Sequence, residues 1–312
     1  MLRKNIGRRG SLVAHVWKYK ALYSMLVVPV LYFVLFRYLP MFGNILAFRR
    51  FEAGTGPWGT QWVGFEYFRR FLSDVAFWRA LRNTVVLSLL GILINFPLPI
   101  FFAVVLNEAR IKWFKKAVQT VSYMPRFIST VVVVAMLGEI LSPSSGILNR
   151  FLVNTFDIEP IYFMNLAQWF RPIYILTDSW QFTGWTSIIY LAAMTNINTD
   201  LYEAAEIDGV SRIQKIFYVT IPSILPTAMV MLILQIGRML GLGFEKVLLL
   251  FTPANSSVSD IIDTLVYRTG LGGATPNYSY ATAIGLFSGI VALVLVSSAN
   301  FASRKITGES IY

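Results

Sequence analysis

The sequence EAAEIDGVSRIQKIFYVTIP, residues 203–222, is a polar, helix-forming stretch that lies between two long apolar segments. Three residues separate its opening Glu-Ala-Ala from Gly209, and nine more separate Gly209 from the closing Val-Thr-Ile-Pro. Asp200 followed by Glu203 suits the start of a helix, and Gly209 suits its end, because glycine adopts a left-handed backbone at little cost. This stretch therefore predicts a compact helical connection between two membrane spans.

The second half of the stretch predicts another short helix. Ser211 and Gln214 have the spacing of a capping box, so two helices are expected to meet at a glycine hinge. Pro222 lacks a backbone donor and is expected to break the helical pattern where the next span begins. The predicted product is a knob that carries one glutamate and two small alanines.

Composition indicates an all-α integral membrane protein. Of 312 residues, 56% are hydrophobic and only 14% are charged, and several uncharged runs exceed the length that crosses a bilayer. The chain has no cysteine, and its single histidine, His15, lies in a basic segment, so no metal site is expected. The net charge of +11 is interpreted as basic flanks that contact lipid headgroups, with no nucleic-acid partner.

Hydropathy predicts a six-helix transmembrane domain over residues 21–303, with both termini in the cytoplasm. The predicted spans are 21–39, 84–106, 118–141, 172–195, 224–250 and 281–302. The predicted cytoplasmic segments are a basic N-terminal segment 1–20, a loop 107–116, the connection 199–222 and a tail 304–312, and 142–171 and 252–280 are predicted to be external. Pro97 and Pro99 are expected to kink the second span.

Residues 40–82 form a polar and aromatic segment that is predicted to be external. Aromatic side chains with helical spacing in its second half predict an amphipathic helix at the outer membrane interface. The alternative is a surface on which sugar rings stack.

Seven polar or charged side chains within the predicted spans are candidates for the transport pathway. They are Arg126, Asp178, Gln181, Gln235, Arg238, Glu245 and Lys246. Charged groups are costly in lipid, so these side chains should face the protein interior or a water-filled path. The alternative is that the charges pair with one another, for example Glu245 with Lys246, or with a second subunit. Gly237 and Gly241 form a G-x-x-x-G pattern that permits close helix packing or a local break.

The sequence has no G-x-x-x-x-G-K-[ST] phosphate loop and no nucleophile elbow. The chain is therefore not expected to bind or hydrolyse ATP, or to be an enzyme. If ATP drives its function, ATP must be bound by another polypeptide.

Residues 203–222 resemble the EAA loop of permease subunits of ATP-binding-cassette (ABC) importers, whose pattern is E-A-A, three residues, G, nine residues and I-x-L-P. Val219 and Ile221 replace the pattern's Ile and Leu. From about residue 23 onward the chain is similar to type I carbohydrate importers of the complex oligo- and polysaccharide branch, with alginate-type permeases the nearest in kind. The fragments that carry this similarity include FRYLPM (36–41), WVG (62–64), RNT (82–84), LNE (106–108), SYMP (122–125), LSP (141–143), GFEKV (243–247) and YSYATA (278–283).

This resemblance implies a permease fold and a set of partners. The implied partners are a second homologous permease, two ATPase subunits that bind ATP with Mg, an extracytoplasmic solute-binding protein and an oligo- or polysaccharide, in the inner membrane of a bacterium. The implied ATPase-coupling residues are Glu203, Ala204, Ala205, Asp208 and Gly209.

The basic residues in the spans favour an acidic glycan, such as the uronate polymer alginate, as the substrate. A neutral oligosaccharide is the alternative. A stand-alone secondary carrier or membrane scaffold is a further alternative, although the inverted repeat typical of many such carriers is not found.

Overall fold

The computed structural model describes residues 15–54, 56, 58–241, 243–272 and 275–307 of the chain. Within these ranges all regular secondary-structure elements are helices. The one pairing of β type is an isolated antiparallel bridge between Arg49 and Trp62. The predicted all-α class is confirmed. Most of the predicted segment 1–20 and the last residues of the predicted tail 304–312 lie outside the described residues.

The helices are numbered here in chain order. They are α1 (Lys20–Phe33), α2 (Glu66–Leu72), α3 (Val75–Asn95), α4 (Pro97–Glu108), α5 (Lys112–Tyr123), α6 (Thr130–Ile140), α7 (Ile147–Phe156), α8 (Ala167–Thr195), α9 (Thr199–Ile207), α10 (Arg212–Lys215), α11 (Ile221–Gly237), α12 (Phe244–Leu250), α13 (Ser256–Ser259), α14 (Ile262–Gly270) and α15 (Tyr278–Thr307). Helix α1 continues through a π turn and further helical turns to Phe48, and another π turn, Ile216–Thr220, joins α10 to α11.

Four helical stretches of the described chain are long and apolar enough to cross a membrane. They are Lys20–Phe48, Val75–Glu108, Arg212–Gly237 and Tyr278–Lys305. A fifth results if Lys112–Phe127 and Thr130–Ile140, which are bent by 100° at their junction, together form one span. The helix of the second predicted span is interrupted at Phe96, between α3 and α4 and directly before Pro97, where the kink is predicted.

Helix α8 covers the predicted span 172–195 but is not among the apolar candidates. Its 29 residues make it roughly 43 Å long at 1.5 Å per residue, which is enough to cross a bilayer. Several polar side chains on it are buried, including Thr177, Ser179, Gln181 and Ser187. Helices α3, α4 and α5 pack around α8, so these polar groups face protein. The count of six spans stays a prediction.

The predicted span over 118–141 is sharply bent and stays a prediction as a single span. Helix α5 ends at Tyr123, a 3₁₀ turn that contains Pro125 follows, and α6 begins after Ser129 at an angle of 100° to the helical stretch before it. The Ser129 hydroxyl accepts a hydrogen bond from the Val132 N–H (3.3 Å), so it caps a new helix. The predicted loop 107–116 is also too long, because α5 already begins at Lys112.

The prediction of a span over 224–250 is wrong in its second half. Helix α11 ends at Gly237, and α12 begins separately at Phe244. A Cβ atom on Gly237 would lie 2.8 Å from Val296 Cγ2, so this glycine allows α11 and α15 to pack closely. Both consequences expected of the two glycines, close packing and a helix break, are present.

The predicted amphipathic helix within 40–82 is two helices rather than one. Helix α2 ends at Leu72, and Asp74 caps α3 by accepting a hydrogen bond from the Ala76 N–H at 2.8 Å. Phe71 and Phe77 are fully buried against residues of α14 and α15, so these two aromatic rings belong to the protein core and do not lie at an interface.

The two predicted external connections contain helices. Helix α7 lies within 142–171, and α13 and α14 lie within 252–280. Ile261, Ile262 and Leu265 of the second connection are buried in the core, so this part of the chain packs against the bundle.

Candidate functional site

Residues 199–215, here called the coupling knob, connect α8 to the membrane helix that follows. The knob begins with α9, which is capped by Asn198, whose side-chain oxygen accepts a hydrogen bond from the Asp200 N–H at 3.0 Å. The expectation that Asp200 is the cap is wrong, because the helix begins one residue before it and the cap must precede the helix.

The turn of the coupling knob confirms the predicted glycine hinge. Gly209 has a φ of +72°, and the Val210 N–H donates to the Ala205 carbonyl (3.0 Å) while the Gly209 N–H donates to the Glu206 carbonyl (3.1 Å). This is the Schellman arrangement that closes a helix and reverses the chain.

The second helix of the knob has the predicted capping box. The Ser211 hydroxyl accepts from the Gln214 N–H (3.4 Å), and the Gln214 side chain accepts from the Ser211 N–H (2.9 Å). The break expected at Pro222 is wrong, since the chain continues as a helix through Ile216–Thr220 into α11. A proline in the first turn of α11 costs little where a π turn has already rearranged the hydrogen bonds before it.

Two side-chain contacts hold the arms of the knob together. Lys215 Nζ lies 2.6 Å from Glu206 Oε1, and the Tyr202 hydroxyl lies 2.8 Å from Thr220 Oγ1. The hydrogen bond from Lys215, and then its positive charge, lower the pKa of the exposed Glu206 carboxyl below its ordinary value. The knob therefore has a fixed shape before any partner binds.

The surface of the coupling knob combines exposed carboxylates, including those of Glu203 and Asp208, with apolar side chains. Glu203, Ala204 and Asp208 are exposed, and Glu203 makes no ion pair with any residue that the structure describes. Ala205 is buried, so only one of the two alanines is available to a partner. The exposed apolar side chains of the knob and the following turn are Leu201, Ile207, Ile213, Phe217 and Tyr218. Such a surface is suited to a cleft with an apolar floor and a basic or hydrogen-bonding wall.

Five of the seven candidate pathway residues line one cavity of about 370 Å³, here called the polar cavity. These five are Asp178, Gln235, Arg238, Glu245 and Lys246, and the cavity is also lined by Asn95, Phe96, Thr130, Tyr174, Phe182, Thr186, Tyr190, Met231, Leu234 and Gly243. The residues come from α3, α6, α8, α11 and α12 and the turns between them. The fold thus brings distant parts of the sequence to one point.

A buried ion pair forms one wall of the polar cavity. Lys246 Nζ lies 2.9 Å from Asp178 Oδ1, and the Asn95 amide donates to Asp178 Oδ2 at 3.1 Å. The Lys246 ammonium also lies 5.6 Å from the Tyr174 ring centroid and 5.3 Å from that of Phe182. Lys246 is only 4% exposed, so its charge depends on these partners.

The alternative that charges within the spans pair with one another holds for Lys246, whose partner is Asp178 and not its sequence neighbour Glu245. Adjacent side chains on a helix point about 100° apart, so Lys246 turns into the bundle while Glu245 is exposed and has no ion pair among the described residues. Arg238 is likewise exposed without a carboxylate partner in the described chain. The lining holds two positive and two negative side chains, so it is formally balanced and lacks the expected positive excess.

The other two candidates do not line the polar cavity. The Arg126 guanidinium lies 4.9 Å from the centroid of the Phe182 ring, whose side chain lines the cavity. Gln181 is buried and donates to the Ile128 carbonyl at 3.0 Å, so it fastens the bend before α6 to α8.

Sequence reasoning missed the residues that shape the cavity around the charges. Ser179 donates a hydrogen bond to Asn95 Oδ1, which orients the Asn95 amide towards Asp178. Gly243 has a φ of +67°, and a Cβ atom there would overlap the Tyr174 hydroxyl. Asn95, as a polar residue in an apolar run just before Pro97, was the one signal available in the sequence.

Comparisons with known proteins identify the family to which this chain is similar. The family described as "Binding-protein-dependent transport system inner membrane component" matches residues 95–307. Protein LplB of Bacillus subtilis (strain 168) is 39% identical over 306 residues, covering 98% of this chain and 95% of that protein. The polygalacturonan/rhamnogalacturonan transport system permease protein YteP of the same organism is 42% identical over 305 residues, covering 98% of this chain and 94% of YteP.

A solved structure extends the similarity to three dimensions. One chain of the bacterial alginate ABC transporter, crystallised with an alginate pentasaccharide-bound periplasmic protein, superposes with a TM-score of 0.88 and 41% identity, covering 96% of this chain and 99% of that chain. The alternatives of a stand-alone carrier or scaffold are not supported by these relatives. The chain belongs to the family of binding-protein-dependent transport system inner membrane components, as a multi-pass permease of a bacterial ABC importer for sugars.

Proposed function

We propose that this chain forms half of a transport pathway for acidic oligo- or polysaccharides and that its coupling knob transmits ATP-driven movement to that pathway. Two of its relatives act, by their names, on alginate and on polygalacturonan/rhamnogalacturonan, and all of these polymers contain uronate units. Carboxylates on every sugar unit distinguish these substrates from neutral glycans.

The topology that we propose has six spans, with α8 as the fourth, and a permease domain over 21–303. The coupling knob and both termini, including segments 1–20 and 304–312, lie in the cytoplasm, and 40–82 lies outside. Support comes from the length of α8 and from the basic residues at the N-terminus.

A second, homologous permease completes the pathway in this proposal. Helix α1 has no buried residue, and none of its most apolar window is buried by the rest of the described chain. Its side chains therefore remain available to another protein surface or to lipid. One chain also supplies only one side of a pathway, because the polar cavity is open to the exterior of the bundle.

The coupling knob contacts an ATPase subunit in this proposal, and two such subunits bind ATP with Mg. Glu203 supplies the charge, Ala204 and Gly209 keep the contact surface narrow, and Asp208 lies at the exposed end of α9 beside the buried Ala205. The hydrogen bond between the Tyr202 and Thr220 hydroxyls ties α9 to the turn that leads into α11, so a movement of the ATPase would shift α11 as well. ATP can favour one pathway state only by binding that state more tightly.

The observation that most supports an acidic substrate is the unpaired guanidinium of Arg238. This guanidinium lines the polar cavity, is exposed, and has no carboxylate partner in the described chain. Arg126 adds a second guanidinium over Phe182, against the single free carboxylate of Glu245. Guanidinium groups bind carboxylates through paired, charge-assisted hydrogen bonds.

A titration of ATPase activity tests the acidic substrate. The assembly of both permeases, the ATPases and the solute-binding protein is reconstituted in lipid and titrated with an acidic and a neutral oligosaccharide of matched length. We expect stimulation by the acidic oligosaccharide alone, and Arg238→Gln should lower its effect. Stimulation by the neutral one alone would contradict the acidic assignment and leave the importer assignment intact.

A neutral oligosaccharide is the second candidate, and the balanced charge of the cavity lining favours it. Tyr174, Phe182 and Tyr190 also line the cavity, and aromatic rings offer stacking surfaces to sugars whatever their charge. The same titration separates the two candidates.

A further inference from the structure

Four arginines from three distant parts of the sequence lie at the end of the bundle opposite the coupling knob. Arg79 and Arg82 lie near the start of α3, Arg171 near the start of α8, and Arg268 in α14. We call these four residues the arginine cluster. At 1.5 Å per residue, Arg171 is roughly 36 Å from the end of α8 that leads into the knob.

One buried carboxylate supports part of the arginine cluster. Asp260 is 0% exposed, and its Oδ2 lies 2.5 Å from Arg268 Nη2 and 3.9 Å from Arg79 Nη2. Thr264 donates to its Oδ1 at 2.9 Å. Asp260 thus neutralises one positive charge and is shared between two arginines.

The other two arginines have no carboxylate partner among the described residues. Arg171 donates to Asn83 Oδ1 at 3.4 Å, while its Nε is buried without a hydrogen-bond partner in the described chain. Arg82 directly precedes Asn83 in α3, so the fold brings its positive charge to the neighbourhood of Arg171. An unsatisfied, buried donor beside a like charge is costly, and a bound anion would relieve both costs.

Buried polar side chains support the arginine cluster from within the bundle, while Arg79 and Arg82 are exposed. The Asn83 amide donates to the carbonyls of Ser257 and Asp260, each at 3.0 Å, so α3 is tied at this point to the segment between α13 and α14. Asn83 is itself 0% exposed. These bonds hold the Asn83 side chain in place, and its amide oxygen accepts the hydrogen bond from Arg171.

A single face of α8 leads from the arginine cluster to the polar cavity. Arg171, Tyr174 and Asp178 are three and four residues apart, which places them on one side of the helix. Tyr174 and Asp178 line the cavity. A carboxylate at Arg171 would lie roughly 10 Å along the helix from Asp178, which is about the length of two sugar units in an extended glycan.

We propose that the arginine cluster binds carboxylates of an acidic glycan at the mouth of the pathway, before the chain reaches the polar cavity. Arg82 and Arg171 make the contact, and Asp260 holds Arg79 and Arg268 beside them. This inference rests on the proposed import of acidic oligosaccharides.

The test uses the double variant Arg82→Gln/Arg171→Gln in the complete assembly with its binding protein. Neither side chain pairs with Asp260, so the buried carboxylate keeps its partners. Arg150→Gln is the matched control, because Arg150 is an exposed arginine of α7 that has no ion pair in the described chain. Uptake into proteoliposomes is measured with a uronate oligosaccharide and with the same oligosaccharide after reduction of its carboxyl groups.

We expect the double variant to raise the half-saturating concentration of the uronate oligosaccharide about tenfold, the size expected for lost charge-assisted hydrogen bonds. The control should behave as the wild type. An unchanged value in the double variant would overturn the proposed site. An equal loss for the reduced oligosaccharide would also overturn it, because the arginines would then be structural.

Two further measurements distinguish other outcomes. Weaker binding of the unloaded binding protein to the double variant would contradict the proposal, because the arginines would then contact protein. If the wild-type assembly itself takes up only the reduced oligosaccharide, the acidic substrate fails together with this site. If wild type and double variant take up the uronate oligosaccharide equally well, the arginine site is contradicted and the acidic substrate is retained.

Discussion

The coupling knob and the polar cavity both carry charged side chains, and they hold these charges in opposite ways. On the knob, Glu203 is exposed and unpaired within the described chain, and the pair of Glu206 with Lys215 lies at the surface. In the cavity, Lys246 is almost fully enclosed and paired with Asp178. The charge of Glu203 on the knob is therefore available to a partner, whereas the charges of Asp178 and Lys246 in the cavity neutralise each other within the chain.

This difference has consequences for stability. An exposed ion pair is screened by water and contributes little to folding. A buried pair is different, because removal of one partner leaves the other charge uncompensated. Substitutions in the cavity should therefore test folding, and substitutions on the knob should test communication with a partner.

The largest effect is expected from Lys246→Met, which breaks the buried pair. Asp178 would lose its cation, and the free energy of unfolding in detergent should fall by about 3 kcal/mol. Adding Asp178→Asn should recover most of the loss, since asparagine can still accept the hydrogen bond from Asn95. Lys215→Met is the control on the knob and should leave unfolding nearly unchanged. If Lys246→Met and Lys215→Met cost the same, the contrast between the two regions is wrong.

Two glycines with positive φ sharpen the comparison. Gly209 on the knob has open space around its Cβ position, whereas a Cβ on Gly243 would overlap the Tyr174 hydroxyl. Gly209→Ala should cost about 1–2 kcal/mol for the left-handed backbone alone. Gly243→Ala should cost a further 1–3 kcal/mol or so for overpacking. Chemical unfolding of both variants measures the two losses of unfolding free energy. Equal losses would mean that the Tyr174 side chain moves aside without cost.

The smallest effect concerns the pH dependence of the knob. Lys215 lowers the pKa of Glu206, so the pair stabilises the knob above the ordinary carboxyl value of 4.5, and this stabilisation is lost as the pH falls through the lowered pKa. Carbon-13 NMR of labelled glutamate in the full chain should show Glu206 titrating below 4.5. Lys215→Met should return its pKa to the ordinary range, and a pKa that stays low in this variant would point to another cause.

The knob could be predicted from the sequence because its signals are local. Ser211 and Gln214, three residues apart, form the capping box of α10, and Gly209 follows the end of α9. The spacing of these residues alone predicts the start of α10 and the end of α9. The predicted cap, Asp200, is two residues away from the actual cap, Asn198, whose side chain has the same ability to accept a hydrogen bond. The Pro222 error arose because a π turn has no signature in composition.

The polar cavity could be predicted only in part, because its partners are distant in the sequence. The sequence marked Asp178 and Lys246 as unusual in a membrane span but could not show that 68 residues of chain fold to join them. Gln181 is also a polar residue in a predicted span, but its side chain donates a hydrogen bond to the Ile128 carbonyl and does not line the cavity. The 100° bend before α6 was not predicted, because the apolar composition around Pro125 indicates a span without indicating its direction.

The central claim is that Glu203 on the coupling knob transmits the state of the ATPases to the cavity. The most direct measurement is ATPase activity of the reconstituted assembly, with and without loaded binding protein, for wild type, Glu203→Lys and the control Glu206→Gln. Glu203→Lys should leave the free energy of unfolding within about 0.5 kcal/mol, because the side chain is exposed. We expect stimulation and uptake to be lost in Glu203→Lys and kept in Glu206→Gln. Full stimulation in Glu203→Lys would contradict the account.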